Sequence, residues 1–537
     1  MSALAAVAVA WALGVSTPGS LPVETLQRTG PSEQRLDLVI LGDGYRDVDQ
    51  SKLTADAETL LEGLFGISPY RQYRGLMNVK LIHAESKDNG ADNGSYGAVR
   101  DTAFGAYFNC SGVSYLLCVD YSAVLATAGV YVPEYDQAIV LVNDPMYGGS
   151  GGSVAVVSTH PNAVTTLRHE LGHSLARLAD EYEQTFPYPT CDATLDCFEP
   201  NATVRTGRSE VKWNAWIDPS TAVPTREGTG FAGIGLFEGC RYLTAGVYRP
   251  KDTGCLMKTN ASVSFCSVCA EALVRAAWRY SNPIDRVAPS GAVTALACDA
   301  LSFGVTTPPL EDASWSFVWT VDGAPVAGSG RILDLPPGTL APGGHVVQVR
   351  VQDSTTLVRN DPTGLLQGVA SWPVTVSPCS VCRAGLACGT SLCVDGMARP
   401  APMCGSSGQC GAAGPSVSCG AYACDAEGLA CRTTCSISAD CAAGYECRST
   451  QCVSLADGTP GPGGGGGGPI DAGSSRAVTP DAGWLADAGH SPVPLPPASC
   501  GCGAGGEGVA AALLWLAVAG ARRRSRVGPA PLSPAPG

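Results

Sequence analysis

Residues 165 to 183 read Thr-Thr-Leu-Arg-His-Glu-Leu-Gly-His-Ser-Leu-Ala-Arg-Leu-Ala-Asp-Glu-Tyr-Glu, which sets His169, Glu170 and His173 in the spacing His-Glu-x-x-His. Positions four apart on an α-helix project from one face, so the two imidazoles can reach one metal ion while Glu170, beside the first, can reach water on that ion. The flanks predict that helix. Residues 153 to 159 (Ser-Val-Ala-Val-Val-Ser-Thr) read as a strand, His160-Pro161-Asn162 breaks it, and Asn162 can cap a helix starting directly after it. Val164, Leu167, Leu171, Leu175 and Leu178 then recur every three to four residues. The expectation is one catalytic Zn2+ held by His169 and His173, with Glu170 as the general base in the hydrolysis of a peptide bond.

Such a metal needs a third protein ligand, and the sequence offers Asp180 and Glu181. On an unbroken helix Asp180 would share the face of His173 but lie roughly 10 Å further along, too far to join ligands at ~2 Å from one ion. The chain must therefore bend after His173. Asp180 is the expected third ligand and Glu181 the alternative.

A chain of 537 residues exceeds what one hydrophobic core usually holds, so several modules are expected. Its net charge of −14 argues against nucleic acid as a partner and leaves a protein or peptide substrate. The 24 cysteines indicate an oxidising compartment, hence an exported protein. Residues 3 to 15 form an apolar run ended by Ser16-Thr17-Pro18-Gly19-Ser20, so residues 1–20 read as a signal peptide, although no Lys or Arg precedes the run.

Residues 35–285 alternate β-rich and helical patterns and read as an α/β (α+β) catalytic domain. Residues 36 to 41 and 137 to 142 are expected as buried strands, and 51 to 64 as a helix. Residues 287–378 change to strict alternation. Trp315, Phe317, Trp319 and Val321 precede an Asp322-Gly323 turn, followed by Val347, Val349 and Val351 and by Trp372, Val374 and Val376, which predicts an all-β sandwich of immunoglobulin-like or PKD-like type. A spacer role is the simpler expectation for it, a docking module the other.

Residues 379–452 hold thirteen cysteines and little aliphatic sequence, so disulfides must substitute for a core there. The count is odd, and Cys298 is the expected partner of Cys379. The catalytic domain carries an even set, Cys110, Cys118, Cys191, Cys197, Cys240, Cys255, Cys266 and Cys269, for which full disulfide pairing is expected. Residues 148 to 153 (Gly-Gly-Ser-Gly-Gly-Ser), just before the strand that leads to the His-Glu-x-x-His helix, are a candidate rim for pairing with an extended peptide.

Residues 453–499 form a Gly/Pro-rich linker. Residues 500–526 then run Cys-Gly-Cys, a short apolar stretch and Arg522-Arg523-Arg524-Ser525-Arg526, a tail that resembles the MYXO-CTERM type of C-terminal sorting signal. That resemblance implies membrane or cell-surface association; the oligomeric state is not legible.

Four further segments narrow the class: Asp37-Leu-Val-Ile-Leu-Gly-Asp-Gly-Tyr-Arg46, Pro69-Tyr-Arg-Gln-Tyr-Arg-Gly-Leu-Met-Asn-Val79, the His-Glu-x-x-His segment through Tyr182, and Cys255-Leu-Met257 followed by Phe265-Cys266-Ser-Val-Cys269. In that order, over about 250 residues, the chain resembles the IgA peptidase family of zinc metallopeptidases, peptidase family M number sixty-four. The resemblance implies a metzincin-like fold, with His169, His173 and Asp180 as metal ligands, Glu170 as catalytic base and Met257 in a methionine turn beneath the metal. One departure stands out. Where metzincins place a bend-permitting glycine and the third ligand, three and six residues after the second histidine, this chain has Ala176 and Ala179. Two other readings stay open: a surface adhesin with an inactive peptidase domain, and a zinc amidase acting on cell-wall peptides.

Overall fold

The computed structural model describes residues 20–461 apart from 94–98, 185–189, 313, 329, 380, 381 and 457. The apolar N-terminal run, the linker beyond residue 461 and the 500–526 tail lie outside the described residues. Contacts divide the chain into two units, 1–467 and 468–537, and every described residue belongs to the first. Among the described residues, no helix is long and apolar enough to cross a membrane.

The chain is mixed α/β, built on a six-stranded sheet. Its strands are β1 (Val23–Gln27), β2 (Leu36–Asp43), β3 (Met77–Ile82), β4 (Gln137–Val142), β5 (Gly149–Ser150) and β6 (Val154–Ser158). Their order across the sheet is β1-β3-β2-β4-β6-β5. The four inner strands run parallel and the two edge strands antiparallel to their neighbours. Residues of β2, β4 and β6 are buried on both sides, as continuous Val/Ile/Leu runs in a covered parallel sheet must be.

Helices α1 (Gln50–Leu64), α3 (Ala163–Ala176) and α4 (Ser267–Trp278) cover one face through Leu53, Leu64, Leu167, Leu171, Leu273 and Trp278, which pack with Leu38, Ile40, Ile139 and Val157. Helix α2 (Tyr121–Tyr131) covers the other through Val124 and Ala128, packed with Val39, Val140 and Val156. The strands expected at 36 to 41, 137 to 142 and 153 to 159 and the helix at 51 to 64 lie within a residue or two of the elements observed. Asn162 occupies the N-cap position of α3, but its side chain makes no capping bond there.

Beyond α4, two sheets face each other. Trp315–Val321, Gly343–Asp353 and Gln367–Ser377 belong to a five-stranded sheet, and Arg286–Ala288, Leu301–Thr306 and Ile332–Leu335 to a three-stranded one. Between them, Trp319 and Trp372 stack at 5.7 Å over Phe303, Val347, Val349 and Val374. This sandwich does not hang free of the first sheet. Arg35, 1% exposed, gives a bidentate bond to Asp285 (2.8 and 2.7 Å), and Asp353 accepts from Tyr73 (2.7 Å) and from the Trp278 indole (3.2 Å).

Among the described residues, nine disulfides are present. Cys298 pairs with Cys379 as expected, and all thirteen cysteines of 379–452 are bonded. The expectation of full pairing among the eight cysteines from Cys110 to Cys269 fails. Only Cys110–Cys118 and Cys191–Cys197 form, and Cys240, Cys255, Cys266 and Cys269 are buried free thiols. Cys255 Sγ and Cys269 Sγ lie 3.7 Å apart, far beyond the ~2.05 Å of a disulfide.

Replacing Asp285 by Ala strands the buried Arg35 guanidinium. The expected cost is about 3–5 kcal/mol, read as a lowered urea midpoint of the variant against the parent.

Candidate metal and active site

Helix α3 ends because Arg177 takes a left-handed conformation (φ 55°, ψ 39°). Its N–H bonds the His173 carbonyl at 3.0 Å, and the Leu178 N–H reaches the Gly172 carbonyl at 2.9 Å. The bend after the helix is thus taken one residue after Ala176 by a non-glycine residue, the exposed Arg177. Leu178, counted with the helical stripe, lies past the helix end yet stays in the core. Asn201 then clamps the returning strand, accepting from the Ala179 N–H (2.7 Å) and donating to the Ala179 carbonyl (2.9 Å).

The turn carries Asp180 back over the helix. Asp180 Oδ1 lies 3.0 Å from His169 Nε2 and 3.3 Å from His173 Nε2, and the two Nε2 atoms are 3.1 Å apart. In each ring the Nδ1 faces a backbone carbonyl, Leu256 O at 2.9 Å for His169 and Leu178 O at 2.7 Å for His173. A carbonyl only accepts, so Nδ1 carries the hydrogen and Nε2 presents its lone pair to the cluster. Three electron-rich atoms at this spacing require positive charge among them. A tetrahedral ion bound at ~2.0–2.1 Å spaces its donors by about 3.3 Å, so the observed set fits one face of such an ion.

The electrostatics state the same need. Burial by itself would lower the His173 pKa, yet Asp180 and Glu170 outweigh it and raise it to about 9. For Asp180, burial is outweighed by His173 and His169, which hold the carboxyl far below the usual range. Glu170, half-buried, is raised mainly by burial, which suits a base that must also give its proton back.

Glu181 does not join this cluster. Next to Asp180 on an extended segment, it points the other way, where its Oε1 accepts from the Asn201 amide (3.0 Å) and the Cys269 thiol (3.1 Å). Met257 is fully buried. A methyl on Gly172 would lie 2.7 Å from its Sδ, so the methionine packs directly against α3 between the two histidines.

Three residues of the site escaped the sequence reading. The Tyr242 hydroxyl donates to Asp180 Oδ2, turning Oδ1 toward the imidazoles. Burial first, then Asp180, raises the Tyr242 pKa, so the phenol keeps the proton it donates. Tyr242 follows Phe237–Cys240, a strand no motif marked. Asn201 is the second. The third is Gly151, in the stretch read as a substrate rim, where a Cβ would come within 2.5 Å of Glu170 Oε2. That stretch is not a bare edge: the Gly149 N–H already bonds the Tyr115 carbonyl (3.3 Å), and Ser150 Oγ bonds Leu117 O (2.6 Å).

His169, His173 and Asp180 bring three donor atoms together beside Glu170, and comparison with known families supports a peptidase, and so a hydrolase. Residues 24–229 and 227–277 match the sequence model described as IgA Peptidase M64, a match that supports this family for the N-terminal region of the chain. No curated protein matches the chain. Matching solved structures include fibronectin(III)-like modules of Clostridium thermocellum CbhA, at 20% identity over 17% of this chain and 94% of that one, with a TM-score of 0.13. Another is the Bacteroides ovatus mixed-linkage glucan utilization protein SGBP-B with a mixed-linkage heptasaccharide, at 17% identity over 26% of this chain and 34% of that one, also with a TM-score of 0.13. At that score neither likeness bears on fold or function.

Two substitutions test the geometry. Tyr242→Phe removes one hydrogen bond from Asp180 and should weaken metal affinity about 10–100-fold, measured by competition with a chromophoric chelator. Gly151→Ala displaces Glu170 and should lower kcat about 100-fold while metal content is unchanged.

Proposed function

We propose that the chain is an exported, zinc-dependent endopeptidase. The observation that carries this reading is the convergence of His169 Nε2, His173 Nε2 and Asp180 Oδ1 beside the half-buried carboxylate of Glu170. When bound, zinc supplies Lewis acidity toward a carbonyl and acidifies water. The residues of the chain do the rest. Glu170 takes the proton of the attacking water and delivers it to the departing amine. The Leu256 and Leu178 carbonyls hold both imidazoles in the ligating tautomer, and Tyr242 orients Asp180. The stretch around Gly151 lines the approach to Glu170.

The finer assignments belong to the same proposal. A third ligand after a turn at the helix end, with Met257 beneath the histidines, supports a metzincin-like site. The two facing sheets after α4 support an immunoglobulin-like or PKD-like module, and their bonds to Arg35, Tyr73 and Trp278 favour a spacer held rigidly against the catalytic domain. Nine disulfides support an oxidising, extracytoplasmic location, and the sorting-type tail would place the protein at the cell surface.

The test sets the full chain beside Glu170→Gln, with casein and cell-wall fragments as parallel substrates. Casein cleavage by the parent should vanish with a chelator and return with zinc, while Glu170→Gln keeps its metal and loses about 10²–10⁴ in rate. Cleavage of cell-wall fragments alone would make the protein an amidase. Metal without cleavage of either substrate would favour the adhesin.

A further inference from the structure

Three of the four free thiols gather around Glu181. Cys255, Cys266, Cys269 and Glu181 are all buried, and their donor atoms lie within 4.8 Å of one another. The approach is not that of a disulfide. Cys255 Sγ and Cys269 Sγ stand 3.7 Å apart, while a tetrahedral zinc with Zn–S near ~2.3 Å sets its sulfurs about 3.8 Å apart. The Cys269 sulfur is 3.1 Å from Glu181 Oε1, and the backbone N–H of Cys266 points at Cys255 Sγ (3.4 Å), as an amide does toward a thiolate. Glu181 Oε2 is buried with no hydrogen-bond partner among the described residues. A carboxylate taken out of water and left with one oxygen unsatisfied among thiols is costly unless a cation joins it.

The local sequence suits such a cation. Cys266 is the N-cap residue of α4 and Cys269 lies in its first turn, so the positive end of the helix dipole faces the anionic donors. Cys255 arrives on a loop that closes through the Leu256 N–H to the Ser264 carbonyl (3.0 Å). Soft sulfur ligands with one carboxylate in four-fold reach select zinc among common divalent ions.

We propose that Cys255, Cys266, Cys269 and Glu181 bind a second, structural zinc ion, the three thiols ligating as thiolates and releasing their protons to solvent. This ion stands back to back with the hydrolytic cluster. Asp180 and Glu181 are consecutive, as are Cys255 and Leu256, whose carbonyl takes the His169 Nδ1–H, and the Glu181 N–H bonds the Met257 carbonyl at 2.8 Å. Binding at the thiols therefore pins both segments that position His169 and Asp180. The site is independent of the peptidase reading, since none of its donors belongs to the His169 cluster.

The experiment is metal counting on the full chain beside two double variants, His169→Ala with His173→Ala and Cys255→Ser with Cys269→Ser. The parent should carry about two zinc ions and each variant about one. Where the cysteine variant fails to fold, cobalt loading of the histidine variant reads the thiol site directly, through an intense near-ultraviolet thiolate-to-cobalt band. A histidine variant that binds no zinc, or binds cobalt without that band, overturns the proposal. So does alkylation of the denatured, unreduced parent that leaves Cys255, Cys266 and Cys269 unmodified, because those sulfurs would then be oxidised. A parent that carries the thiol-bound zinc but cleaves no substrate would sink the peptidase reading and leave this one standing.

Discussion

The site depends on one turn. Arg177 in its left-handed conformation stops α3 and turns the chain back, so that the consecutive side chains of Asp180 and Glu181 reach different partners. Asp180 then meets the two imidazoles, and Glu181 meets the thiols. An unbroken helix would leave both carboxylates a turn or more beyond His173. Asn201 holds this segment by three hydrogen bonds, two to Ala179 and one to Glu181, so its position is set by the surrounding core and not by local preference.

Around that turn the architecture divides its labour. The parallel sheet, covered on both faces, fixes the start of α3 and thus His169, Glu170 and His173. The segment from Cys255 to Cys269 closes the other side, giving the Leu256 carbonyl to His169 and Met257 to the space beneath Gly172. The β-rich region after α4 braces this frame through the Arg35–Asp285 pair and the bonds that Tyr73 and Trp278 make to Asp353. Where the Cys-rich region lacks apolar residues, disulfides replace them, with Cys298–Cys379 tying that region to the sandwich.

Elements whose signal is local were the legible ones. The runs at 36 to 41 and 137 to 142 are strands because buried parallel strands need continuous aliphatic sequence, and α1 follows a clear apolar stripe. Cysteine pairing divided differently. An odd count in 379–452 pointed to Cys298, whereas an even count in residues 35–285 misled, because parity says nothing of whether sulfurs reach bonding distance. Tyr242 and Asn201 carry no motif, and they serve the site only because the fold brings them back to residues 179–181 from about 20 and 60 positions away.

By itself, the sequence determined that His169 and His173 share a helix face with Glu170 beside them, since helical spacing is a local property. It also determined the division into an α/β region, a β-rich region and a disulfide-stapled region, since periodicity and composition are local too. The tertiary structure alone set Asp180, and not its neighbour Glu181, beside the two imidazoles. It also set Cys240, Cys255, Cys266 and Cys269 outside any disulfide and brought Tyr242 to Asp180. Those outcomes depend on distances between residues far apart in sequence, which the backbone path sets and no single segment encodes.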